Sequence, residues 1–117
     1  MNILSFPIGI YEAPEVVSVA QRNEWIADIE ILPKRMNDAV RNLTAEQLDT
    51  PYRPEGWTLR QTVHHTADSH QNAYIRFKLA LTEDNPTIKP YEQDAWAMLE
   101  DSKLPIEHSL KILEGVH

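Results

Sequence analysis

An all-α bundle is what this 117-residue sequence predicts, on three observations. Apolar residues recur every three or four positions over long stretches, which is the period of one helix face. Ser or Thr followed three residues later by Gln marks three helix starts, and Pro and Gly punctuate the segments between them. No repeat, low-complexity tract or linker divides the chain, so residues 1–117 read as one domain.

Residues 1–14 hold Pro7, Gly9 and Pro14 among Ile3, Leu4, Phe6, Ile8 and Tyr11, the pattern of an extended arm expected to lie on something apolar. Ser18 and Gln21 then have capping-box spacing, and Trp25, Ile29, Leu32, Met36, Val40 and Leu43 recur along one face. Pro33 lies inside this pattern. It removes the donor to the carbonyl four residues back, so the helix should bend near Ile29; the apolar register carries through, which predicts a kink and not a stop. Thr44 with Gln47 opens a short turn of helix that Pro51 closes.

The turn-rich loop from Asp49 to Gly56 delivers the chain to Trp57. Thr58 with Gln61 repeats the capping spacing, and the helix they open can run to about Leu81 before Asn85-Pro86 ends it. Leu59, Val63, Thr66, Ala67, His70, Tyr74, Phe77 and Leu81 share a stripe expected to face a core. Gln61, His65, Asp68, Asn72, Arg76 and Leu79 fall opposite, as on a helix that borders a cleft or solvent. A short helix around Tyr91–Glu100 offers Trp96 and Leu99 for packing. Pro105 suits the first turn of a last helix with Ile106, Leu110, Leu113 and Val116 on its apolar side. That helix has no capping signal beyond Gly115, so the sequence reads as stopping inside an element.

Composition narrows the function classes. A hydrophobic content of 42% permits an ordinary core, while the charge of -7 with scattered Lys and Arg argues against a protein that tracks nucleic-acid phosphates. With no cysteine there is no disulfide framework, thiolate zinc site or cysteine nucleophile, so any metal must be held by His and carboxylate. No basic leader with an apolar core is evident, and no stretch approaches the ~20 apolar residues of a membrane span. The expectation is a soluble cytoplasmic protein with neither nucleic-acid nor membrane partners.

Chemistry is concentrated in the run from Trp57 to His70, which carries the adjacent pair His64-His65 and then Asp68 and His70. Neutral imidazole is the commonest protein metal ligand, and a catalytic metal needs about three protein ligands, more than one helix readily supplies. By periodicity any of the three histidines could ligate a metal or be structural. His70 falls in the apolar stripe, as a hydrogen-bonded core histidine would, and His64 at its margin. His65 could bind metal through one nitrogen while Asp68, or a group on another helix, orients the other. Trp25 and Trp96 read as core and Trp57 as core or pocket lining. Arg76 reads as the partner of a carboxylate before an anion clamp. No phosphate-cradling glycine loop, nucleophile elbow or cofactor-binding motif is present, and no catalytic residue can be assigned.

The segments Leu48-Asp49-Thr50-Pro51-Tyr52-Arg53, Gly56-Trp57-Thr58-Leu59-Arg60-Gln61, His64-His65-Thr66-Ala67-Asp68-Ser69-His70 and Tyr74-Ile75-Arg76-Phe77-Lys78-Leu79 closely resemble the YfiT branch of the DinB-like proteins, as do the Pro7-Ile8-Gly9 arm and the Pro86-to-Tyr91 loop. The resemblance covers essentially the whole chain. It implies a four-helix bundle, often dimeric, with metal-dependent hydrolase activity or, in some members, thiol S-transfer using bacillithiol, acting on a small molecule. It implies zinc or nickel held by three histidines, and it carries one of these over to His65; ligand status does not transfer to His64 or His70. The other two belong in the family to a C-terminal helix with a His-x-x-x-His pair, which has no counterpart before His117. The chain is therefore expected to be a DinB-like bundle lacking its C-terminal helical part. The other reading is a truncated, non-catalytic helical protein that covers its exposed faces with a second copy or a partner.

Overall fold

The computed structural model describes residues 3–117, and among them the regular structure is helical, with one isolated bridge between Pro51 and Thr58. The helices are α1 (Val19–Val40), α2 (Ala45–Leu48), α3 (Leu59–Thr82), α4 (Gln93–Ala97) and α5 (Glu107–Val116), with 3-10 turns at Ile3–Ser5 and Glu100–Lys103. None is long and apolar enough to cross a membrane.

The starts of these helices follow from local hydrogen bonding. The first N–H groups of a helix have no partner within it, and a side-chain oxygen three residues back can supply one. Thr44 with Gln47 and Thr58 with Gln61 form complete reciprocal boxes. Ser18 accepts from the Gln21 amide without the return bond. Pro33 sits inside an unbroken α1, as the continuous apolar register predicts.

The core lies where the ends of the helices converge. Val40, Leu48, Val63 and Ile106 are buried together, with Met36, Leu43, Leu59 and Leu110 packed around them. Helix α5 packs against both α3 and α1, so it joins the two long helices. Its Leu113 is fully enclosed, at 0% exposure. The expected apolar side of this helix is thus correct, with Ile106 buried one residue before its first turn.

Several expected core residues are not buried. On α3 the stripe is enclosed at Val63 and Ala67, but Phe77 is 60% and Leu81 83% exposed. On α1 Ile29 is exposed and Trp25 half-buried. The arm leaves Ile8 99% exposed rather than lying on an apolar surface of this chain. Trp96 is 38% exposed, packing its ring at 4.5 Å from that of Tyr91. Periodicity identifies residues that share a face; it does not say that another element reaches that face.

Candidate functional site

The loop before α3 is built to hold Trp57. The Tyr52 amide donates to the Trp57 carbonyl and the Leu59 amide to that of Thr50, which closes the loop into a bridged turn. Glu55 takes a positive φ of 62°, and at Gly56 a Cβ would stand 2.6 Å from Arg53 Cγ and 3.1 Å from the Arg53 oxygen, so only glycine fits there. Immediately after, Gln61 uses its amide twice: its oxygen accepts from the Thr58 amide, and its nitrogen donates to the Ala97 carbonyl at 2.9 Å. One side chain therefore caps α3 and ties the end of α4 to it.

His65 lies between these two anchored pieces. Its ring is 4.7 Å from that of Trp57 at 59°, and the carboxylates of Asp68 and Asp94 act on it electrostatically. Neither imidazole nitrogen hydrogen-bonds to a described residue; because no buried polar side-chain atom lacks a partner, both nitrogens must reach accessible surface. Burial of the ring holds His65 below the ordinary imidazole range, against the pull of Asp68 and then Asp94. Its neutral, ligating form is thus favoured at pH 7. Trp57 and Asp94 also line a cleft of about 560 Å³ with Tyr52, Arg53 and Met98.

Asp68 does not orient His65 through a hydrogen bond; it is half-buried, and burial, reinforced by Asp101, raises its carboxyl above the usual range. Arg76 is not paired with a carboxylate as expected. It donates to the Lys89 carbonyl at 3.1 Å and lies 6.0 Å from the centre of the Tyr91 ring, because the loop after α3 folds back beside it.

His64 faces the other way and is committed. It is 4% exposed, with Nε2 2.9 Å from the Leu104 carbonyl and Nδ1 2.6 Å from Ser109 Oγ. A carbonyl only accepts, so Nε2 carries the proton and Nδ1 accepts from the serine hydroxyl. This is a bolt between α3 and α5, deeper in the core than the margin expected from the sequence. Ser109 was detectable as the one hydroxyl in the apolar stripe of α5. His70 is hydrogen-bonded, as expected, but to the ring of His117 and at the edge of a cleft instead of inside the core.

Among the described residues no three His, Asp or Glu side chains come together as a metal site. His108 stacks over His64 at 4.9 Å, and neither it nor His117 approaches His65. The residues present therefore do not make a complete three-ligand centre; they make one free, neutral, surface-reaching imidazole beside a tryptophan.

A helical bundle with a histidine pair of divided role, one imidazole a core bolt and the other free at the surface beside a tryptophan, is the class of protein that these residues define. Residues 20–117 match the model of the DinB superfamily, and the chain belongs to that superfamily. It is 54% identical over all 117 residues to proteins of Bacillus cereus (strain AH820) and Bacillus anthracis (strain A0248) named "Putative metal-dependent hydrolase", and spans 68% of their length. It also superposes on a protein described as "YfiT from Bacillus subtilis is a probable metal-dependent hydrolase with an unusual four-helix bundle topology", with a TM-score of 0.94 and 51% identity, covering 98% of this chain and 66% of that one. The all-α, DinB-like fold expected from the sequence is thereby shown.

Proposed function

We propose that this protein serves metal-dependent hydrolase or thiol S-transferase chemistry on a small molecule, with His65 as one ligand of a zinc or nickel ion. What carries the reading is that His65 alone of the His64-His65 pair keeps both nitrogens unpartnered and accessible, beside the Trp57 ring. It is supported by the name that relatives at 54% identity carry, "Putative metal-dependent hydrolase". The remaining ligands come from outside residues 1–117, since one imidazole falls short of the three that a catalytic metal needs. No bond-making step is assigned to the residues of this chain.

The experiment joins residues 1–117 to the remaining third of a Bacillus cereus relative and measures bound metal and turnover. The expected result is about one zinc or nickel per chain, with activity that His65→Ala abolishes and His64→Gln does not. Ester or amide hydrolysis compared with conjugation of a bacillithiol-like thiol to an electrophile then separates the two reactions. Metal bound at full stoichiometry after His65→Ala would overturn the assignment.

A second reading rests on the absence of a three-ligand cluster among the described residues. In it residues 1–117 act without catalysis, through association. It is favoured if the 117-residue chain alone binds no zinc or nickel at micromolar concentration and turns over neither class of substrate.

A further inference from the structure

Five residues after His65, the turn of α3 carries His70 well round the helix axis toward α5 and the middle of α1. His70 Nδ1 and His117 Nε2 are 2.5 Å apart, and His117 Nδ1 is 2.5 Å from the Ile29 carbonyl oxygen. The ring planes differ by 20° and the centroids are 4.7 Å apart, little more than the N···N distance with a ring radius at each end. The two imidazoles therefore meet edge to edge, and their hydrogen bond lies in both planes.

This arrangement fixes the protons. The Ile29 carbonyl only accepts, so His117 Nδ1 carries a hydrogen; with one hydrogen on each ring, His117 Nε2 then accepts and His70 Nδ1 is the donor. His70 Nε2 is left with a lone pair. It has no hydrogen-bond partner among the described residues, and since no buried polar side-chain atom is unpartnered it is reachable from outside. Burial, with His117 and then His65 nearby, holds His70 below the ordinary imidazole range, so that lone pair persists at pH 7.

Beside it lies a cleft of about 470 Å³ lined by Ile29, Ala73, Tyr74, Phe77 and Val116 with the two histidines. Its volume is in the range of small-molecule sites, and hydrocarbon walls with very few polar groups are their usual construction. Apart from the imidazoles, the Tyr74 hydroxyl is the only polar side-chain group in the lining.

We propose that this cleft binds a compact apolar molecule presenting one hydrogen-bond donor, a phenol being the simplest of the class, with His70 Nε2 as the acceptor and His117 as the residue that sets its tautomer. An apolar body would cover the exposed faces of Ile29 and Phe77, and the donor would satisfy the one acceptor that the relay leaves open. The site uses neither His65 nor a metal, so it stands or falls apart from the metal reading.

Titration of the 117-residue protein with 4-chlorophenol and, separately, with chlorobenzene tests this, followed by long-range proton–nitrogen correlation of the histidine rings. The phenol is expected to shift His70 Nε2 saturably and to bind about five- to tenfold more tightly than chlorobenzene, as one added hydrogen bond gives. His70→Phe should erase that preference and keep chlorobenzene binding, while Tyr74→Phe should leave the preference intact. Equal binding of the two probes to the wild-type protein overturns the proposal. So does no binding at all, as when a second copy fills the cleft, or a preference that tracks Tyr74 instead of His70.

Discussion

His117 donates from Nδ1 to the carbonyl of Ile29, the group that Pro33 deprives of its helical partner four residues on. The carbonyl freed in α1 therefore becomes an attachment point for the end of α5, across 88 residues of sequence. Replacing Pro33 with Ala restores the helical donor to that carbonyl, with a gain of up to about 3 kcal/mol in helix propensity. Pro33→Ala should thus raise the thermal midpoint and at the same time loosen the His117 contact. Amide exchange at His117, whose N–H donates to Leu113, should accelerate relative to the α3 amides; unchanged exchange there would show that the attachment does not depend on the carbonyl that Pro33 frees.

The neighbours His64 and His65 should respond in opposite ways to mutation. Removing the His64 ring leaves the Leu104 carbonyl and the Ser109 hydroxyl without their partner and opens space in the core. His64→Ala should cost about 2–4 kcal/mol in urea unfolding, since each stranded buried polar group costs about 1–3 kcal/mol. His65→Ala removes a ring with no hydrogen bonds and should cost under about 1 kcal/mol. Equal losses at the two sites would contradict the division of roles.

Protonation of histidine opposes folding here, and the sign can be worked out. His64, His65 and His70 all bind protons less readily when folded than the ordinary value of 6.5, first because of burial. The unfolded chain then takes up more protons as pH falls, so stability is fully present above about pH 6.5 and declines below it. Asp68, raised by burial, has the reverse sign and offsets part of that loss as pH falls. The thermal midpoint should be flat from about pH 7 to 8 and drop between about 6.5 and 5. His64→Gln, which keeps an amide in place of the ring, should flatten part of that drop; a midpoint independent of pH would refute the linkage.

How far the sequence reveals this molecule depends on the range of the interaction. The reciprocal boxes at Thr44/Gln47 and Thr58/Gln61 and the passage of α1 through Pro33 are decided within four residues, and each is legible from spacing alone. The apolar side of α5 is legible because a ten-residue amphipathic pattern leaves one solution. By contrast, the separation of His64 from His65 is set by Ser109 and Leu104, some 40 positions on. Periodicity puts His64 at the margin of the apolar stripe and His65 opposite it but leaves open which could hold a metal; the family resemblance points to His65, and the contacts give a physical reason why His64 is occupied. Arg76 shows the same limit, since the Lys89 carbonyl that holds it belongs to a loop whose path no local pattern specifies. The relay through His70, His117 and Ile29 joins three helices, and only the freed carbonyl could be foreseen.

Self-association is the expectation for the faces left open. Ile8, Val16, Ile26 and Leu81 are each more than half exposed, and exposed apolar side chains on the arm and on two helices are candidates for burial between copies. At about 25 cal/mol per Å² even a modest contact between such faces contributes several kcal/mol before the entropy of association is subtracted. We therefore expect the 117-residue chain, of 13.5 kDa, to have at least twice that mass by light scattering at micromolar concentration, and a homodimer is the simplest such species. Ile26→Glu combined with Leu81→Glu places charge on two of these faces and should shift the species toward the monomer mass with the helix content unchanged. A wild-type chain that is monomeric and unfolds cooperatively would show that these side chains are tolerated in solvent, and would remove association from the account of this protein.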